Sequence, residues 1–164
     1  MALSQTHIDE LIRCSKVVTE KPRRQMVEEH GHRRNDMKLT SEDGNQRFDV
    51  FLRQGQDFPE NFSIGLRYAP GGGEPTICLL RCNGPHEGFA EPTDNVRHHT
   101  GCHIHRAKAD NLEAGRAAEK GAERTTAYAT FEDAILFFLK ECNVKDAGDL
   151  FPDLPSKNLW DLES

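Results

Sequence analysis

Long apolar runs are missing from this chain of 164 residues. No segment approaches the roughly 20 consecutive apolar residues that a membrane helix requires. The N-terminal MALSQTHIDELIRC also lacks the charged and then apolar pattern of a secretion signal. The sequence therefore predicts a protein that makes no membrane contact.

Cysteines are few, and their spacing shows no pairing motif. Five are an odd number, and no two of them form a CxxC pair. This pattern indicates reduced, mostly buried thiols, and it predicts a cytoplasmic location. The five are Cys14, Cys78, Cys82, Cys102 and Cys142.

Positive charge is in the minority, with 21 Lys and Arg against 27 Asp and Glu and a formal net charge of −6. That balance excludes a general nucleic-acid coat and leaves room only for a local basic patch. The most basic segment is KPRRQMVEEHGHRRNDMK, residues 21–38. Most such segments are only solvated surface, but this one offers candidate substrate-binding residues for a nucleic acid. They are Arg23, Arg24, Arg33 and Arg34.

Strands outnumber helices in the predicted order of elements, and short turns join them. Helices are predicted at 4–20, where Ser4 can cap an apolar stripe, and at 131–142. Between about 36 and 130, apolar and polar residues alternate as in half-buried strands. The sequence thus predicts a single α+β domain over 1–164. Its mainly antiparallel sheet has five or six strands, packed by the N-terminal helix and by the helix near 131–142.

Three finer expectations accompany this architecture. Residues 109–124 form either a helix or a loop, and TTAYA, 125–129, continues as a strand. The acidic tail, 146–164, carries Trp160, which we expect to dock on the domain or on a partner. Nine apolar side chains should be buried together: Phe48, Val50, Leu52, Ile64, Leu66, Ile104, Ile135, Phe138 and Leu139.

Histidine is concentrated in RHHTGCHIHR, residues 97–106, which holds four of the eight histidines in the chain. Side chains two apart in a strand share a face, so His103 and His105 should point together, away from the core that Ile104 faces. His86 follows a neighbouring strand and could reach the same face, while His98 and His99 fall in the loop before it.

Three interpretations of these histidines stay open. In the first, His86, His103 and His105 move protons during RNA cleavage by its own 2′-hydroxyl, without a cofactor, and Arg81 and Arg106 stabilise the developing charge. In the second, the same three imidazoles are ligands for zinc or another divalent transition metal in a hydrolase or metal-binding domain. In the third, the face is only polar surface on a non-catalytic interaction module.

The order of these pieces resembles the TumE-like toxin-component proteins of bacteria and related small domains of unknown function. The likeness rests on LLRCNGPH, 79–86, then a polar gap with histidines, then the HxH strand, and it spans about 62–144. The chain departs where that family has an RYDN-like tetrad, because Arg81-Cys82-Asn83 lacks the tyrosine and the aspartate. The resemblance implies a toxin-like cytoplasmic bacterial protein that acts on RNA. It would either bind RNA or cleave it as a metal-independent ribonuclease. An antitoxin protein and, in a homodimer, a second copy are its expected partners.

Overall fold

The computed structural model describes residues 3–85 and 101–151. Within these ranges three helices and eight strands follow one another, with a short 3-10 turn at Gly148–Leu150. They are α1 (Gln5–Arg13), β1 (Lys16–Glu20), β2 (Val27–Glu29), β3 (His32–Ser41), β4 (Arg47–Gly55), β5 (Phe62–Ala69), β6 (Ile77–Asn83), β7 (His103–Arg106), α2 (Ala109–Glu113), β8 (Glu123–Arg124) and α3 (Phe131–Glu141).

The strands form one antiparallel sheet in the order β1-β3-β4-β5-β6-β7-β8, with β2 paired to the far end of β3. The predicted α+β class and antiparallel sheet are therefore confirmed. The sheet has eight strands among the described residues and not five or six, because the short edge strands β1, β2 and β8 were not predicted. No described helix is long and apolar enough to span a membrane.

The apolar side chains that alternate along β3 to β7 form the helix-side face of the sheet, on which α1 and α3 pack. Val50, Leu66 and Leu80 are neighbours across this face and are almost fully buried. All nine side chains that the sequence predicts to be buried together lie in this core. The alternation of two in the strands and the apolar stripe of α3 were therefore interpreted correctly.

The predicted helix over 4–20 is wrong in its second half. Ser4 does cap α1, since its Oγ accepts a hydrogen bond from the His7 N–H at 3.1 Å. The helix ends at Arg13, and Lys16–Glu20 instead pairs with β3 as strand β1. The β-branched run from Val17 to Thr19 favours a strand, although its apolar residues also fit a helical stripe.

Lys16 is fully buried where α1 and α3 end. Its ammonium donates three hydrogen bonds, to the carbonyl oxygens of Ile12 at 2.7 Å, Cys14 at 2.9 Å and Cys142 at 2.8 Å. The last carbonyls of a helix lack partners within the helix and carry partial negative charge. Lys16 thus joins the C-terminal ends of both helices, and its Nζ also lies 4.9 Å from the Phe48 ring centroid.

The second face of the sheet, here called the polar face, carries the alternate residues of β3 to β7. Its neighbours across the strands run in rows, such as Arg34–Arg53–Ser63–Asn83–His103 and Asp36–Phe51–Gly65–Arg81–His105. Neither α1 nor α3 covers it. Among the described residues no long helix therefore packs on the polar face, although Phe51, Asn83 and His103 on it are buried.

Of two further predictions between β7 and α3, one is confirmed in part and one is wrong. Residues 109–124 begin as the short helix α2 and continue without helix to β8, so each of the two expected structures is found in part. TTAYA, 125–129, is not a strand, because the pairing with β7 lies at Glu123–Arg124, just before it. Most of the acidic tail, Trp160 included, lies outside the described residues.

Candidate functional site

The histidines of β7 share one face, as the sequence predicts. The ring centroids of His103 and His105 lie 5.3 Å apart, with the rings at 70° to each other. Antiparallel register places Asn83 opposite His103 and Arg81 opposite His105. Arg81 therefore lies beside the histidine pair, on the polar face, as expected.

His103 points away from the core of Ile104, as predicted, but it does not face solvent, since the residue is 1% exposed. Its Nδ1–H donates to the Gly101 carbonyl at 3.0 Å, and its Nε2 accepts from the Asn83 amide at 3.4 Å. Ser63 in turn donates to Asn83 Oδ1 at 3.0 Å. These partners fit a neutral imidazole held in one tautomer.

His105 is half-buried beneath the segment that follows α2. Its Nδ1–H donates to the Glu119 carbonyl at 3.1 Å. Burial, together with the nearby positive charge of Arg81, lowers the pKa of His105 to about 4. At neutral pH the imidazole is therefore uncharged, so it can accept a proton but cannot serve as the charged partner of an acid–base pair.

Tyr128 fastens the ends of β6 and β7 and was not identified from the sequence. Its hydroxyl is the donor to two backbone carbonyl oxygens, that of Asn83 at 2.9 Å and that of His103 at 2.8 Å. Burial strongly raises the pKa of this phenol, so it remains protonated. The sequence offers a single tyrosine in TTAYA as an indication of this contact. Because that segment was predicted to be a strand, the role of Tyr128 was missed.

Arg106 does not belong to the histidine pair. Because it follows His105 directly in β7, its side chain points to the helix-side face, where its guanidinium pairs with Glu141 of α3 at 3.1 Å. His86, His98 and His99 lie outside the described residues. Within residues 3–85 and 101–151, no three His, Cys, Asp or Glu side chains gather as metal ligands.

Two arginines, Arg53 and Arg67, lie near the Phe51 ring on the polar face, and Arg81 follows across Gly65 on the next strand; these three are called here the arginine cluster. Phe51 lies across Gly65, where a Cβ atom would come within 2.3 Å of the ring. The guanidinium carbons of Arg67 and Arg53 lie 4.4 and 5.6 Å from the ring centroid. The ring thus forms a buried platform for two cations, a contact that favours their fixed placement.

No member of the arginine cluster has a carboxylate within ion-pair distance among the described residues. The buried Nε of Arg81 also lacks a hydrogen-bond partner there. Arg34, the cross-strand neighbour of Arg53, is instead paired with Glu29 at 2.8 Å. The cluster therefore places three guanidiniums outside ion pairs on one sheet face, with Asp49 opposite Arg67 across the strands as the nearest carboxylate in register.

The basic segment 21–38 divides between the two faces. Adjacent residues of β3 point in opposite directions, so Arg34 lies on the polar face and Arg33 on the helix-side face. Arg33 joins Arg23 and Arg24 at a cleft beside α3. The four predicted substrate-binding residues thus do not form one surface, because Arg34 lies on the polar face, Arg24 and Arg33 line the cleft, and Arg23 lines pockets with residues of both faces.

Comparison with known proteins gives one family. A family model described as "Family of unknown function (DUF6978)" matches residues 3–144. No curated protein and no solved structure shows a significant match to the chain. The expectation of a small domain of unknown function is confirmed, whereas the match carries no link to toxin-component proteins.

Proposed function

The chain belongs to DUF6978, a family of unknown function, and we propose that its polar face binds single-stranded RNA. The observation that carries the proposal is the arginine cluster, three guanidiniums without ion pairs among the described residues, on adjacent strands of a sheet face on which neither α1 nor α3 packs. Strand spacing puts the three Cα atoms roughly 8–14 Å apart. Guanidiniums on this scale can contact successive phosphates of one strand.

The chemical groups on this surface favour single-stranded RNA over a duplex. Unpaired bases can lie flat on guanidinium planes, and the Phe51 ring holds two such planes against the sheet. Ser63, next to Arg53 across the strands, donates to Asn83 and keeps acceptor positions on its hydroxyl oxygen. An acceptor beside the phosphate contacts suits the 2′-hydroxyl that distinguishes RNA from DNA.

Binding is better supported than cleavage. Acid–base cleavage needs one neutral and one charged group at the reacting atoms. The lowered pKa of His105 makes it neutral, and both ring nitrogens of His103 have hydrogen-bond partners. The metal interpretation depends on His86 as third ligand, and that residue lies outside the described ranges.

Fluorescence anisotropy with a labelled single-stranded RNA of about a dozen nucleotides tests the proposal. Arg53→Gln combined with Arg67→Gln removes two charges but keeps aliphatic cover over Phe51. At about 50 mM salt this variant should bind roughly tenfold or more weakly than the wild type. Arg13→Gln is the matched control, because Arg13 is an exposed arginine on α1, and it should change affinity less than about twofold.

The proposal fails if wild-type protein does not bind the RNA, or if the double variant and the control bind equally well. Equal affinity for a DNA strand of the same sequence would remove RNA selectivity and leave a general single-strand binder.

A further inference from the structure

A cleft of about 400 Å³ opens on the helix-side face, between the end of the sheet and α3. Its floor is apolar and is formed by Leu52, Phe131, Ile135, Leu150 and Phe151. At its edge stand the exposed Arg23, Arg24 and Arg33. Small-molecule sites in proteins have this size. Here a contiguous apolar floor is surrounded by a polar and largely charged edge.

The backbone beside the cleft is fixed by a buried side chain. Asn35 accepts from the Arg23 N–H at 2.9 Å and donates to the Arg23 carbonyl at 2.8 Å. Asn35 is 6% exposed and lines the cleft itself. The position of Arg23 at the edge is therefore set by two hydrogen bonds and not by chance contact of a loop.

The arginine side chains at the edge are weakly neutralised. Among the described residues, Arg23 and Arg24 form no ion pair, and Arg33 lies 3.9 Å from Glu28, close to the limit of such a contact. Two or three guanidiniums over an apolar floor match a ligand with an anionic head and an apolar body. Glu28 and Glu132 also line the cleft and would repel an extended polyanion.

We propose that this cleft binds a small organic anion, a phosphate or carboxylate group on a flat apolar body. The apolar body lies on Leu52, Phe131 and Ile135, and the head group meets Arg23 and Arg24. The apolar floor, Arg24 and Arg33 lie on the opposite face of the sheet from the arginine cluster, whereas Arg23 also lines a second pocket with Phe51 and Arg67. Adjacent residues of β3 illustrate the two faces, because Arg33 lines the cleft and Arg34 lies on the polar face.

Calorimetric titration of the full chain with 2-naphthyl phosphate and with 2-naphthoate tests the proposal. We expect saturable binding of at least one probe with one molecule per chain, and much weaker binding of inorganic phosphate, which lacks the apolar body. Arg23→Ala combined with Arg24→Ala should weaken that binding about tenfold or more. Arg34→Ala, on the polar face, should change it less than about twofold, and it serves as the matched control.

Leu150→Ala tests the apolar floor and should weaken binding severalfold, because Leu150 is only partly buried and its truncation spares the core. Absence of saturable binding by either probe would overturn the proposal. So would equal losses in the Arg23/Arg24 and Arg34 variants, or inorganic phosphate binding as tightly as the aromatic probes. Loss of RNA binding in the arginine cluster variant leaves each of these outcomes unchanged, so the two proposals fail separately.

Discussion

His103 is a buried imidazole among polar partners, so truncating it should cost stability. His103→Ala removes the acceptor of the Asn83 amide and leaves a cavity. We expect the free energy of unfolding to fall by about 2–4 kcal/mol. Urea unfolding followed by circular dichroism measures this. A loss under about 0.5 kcal/mol, typical of a surface residue, would show that the ring is not buried.

His105 should make the stability depend on pH in the acid range. Its folded-state pKa of about 4 lies below the ordinary value of 6.5, so the unfolded chain binds more protons between these pH values. The contribution is fully present above about pH 6.5 and is lost as pH falls towards 4. His105→Gln lacks this titration, so the wild type should lose more stability than the variant between pH 7 and about 4.5, by urea unfolding. Equal losses in the two proteins would contradict the lowered pKa.

At the residue scale the sequence predicts the sheet face to which a side chain points better than it predicts whether that side chain is buried. Strand alternation correctly places His103 and His105 on one face with Arg81. It could not predict that His103 is buried, because Asn83 and Tyr128 meet it from other segments. Covering by a distant loop depends on tertiary packing, which periodicity within one strand does not contain.

Lys16 should be essential to the junction of α1 and α3. Lys16→Met keeps the apolar stem but leaves three carbonyl groups near the core without their donor. We expect a loss of about 3–5 kcal/mol in the free energy of unfolding, measured by urea denaturation. Lys38→Met is the control, since Lys38 is exposed on β3, and it should cost less than about 1 kcal/mol. A Lys16 variant as stable as the wild type would show that the helix ends are satisfied otherwise.

Elements were predictable where one pattern dominated. Phe48, Val50 and Leu52 alternate with polar neighbours, and they form β4 as predicted. Val17 and Val18 fit both a helical stripe and a strand, and pairing with β3 decided in favour of β1. Strand β8 has only two residues, so its pairing with β7 leaves no periodic signal to detect.

The molecule has a formal net charge of −6, but several of its arginines are concentrated in the arginine cluster and at the edge of the cleft. RNA binding by the arginine cluster should therefore weaken steeply with salt. For three or four phosphate contacts, the logarithm of the association constant should fall with the logarithm of salt concentration with a slope of about −2 to −3. Anisotropy titrations at several salt concentrations measure it. A slope near zero would mean that phosphate contacts do not drive binding.

The sequence could not predict that the basic residues divide between the two faces of the sheet. Residues 21–38 were interpreted as one basic surface, but β3 sends Arg33 and Arg34 to opposite sides. The arginine cluster is spread over three strands, β4, β5 and β6, and becomes a group only through their register. Short-range spacing cannot show such a group, whereas the sheet topology does.

Nuclear magnetic resonance of the arginine side chains tests the central claim most directly. Titration of single-stranded RNA into ¹⁵N-labelled protein should shift the Nε–Hε signals of Arg53, Arg67 and Arg81. The signals of Arg13 and Arg24, on the helix side of the molecule, should stay unchanged. Shifts confined to Arg24, or spread evenly over all exposed arginines, would contradict the proposal that the polar face is the RNA-binding surface.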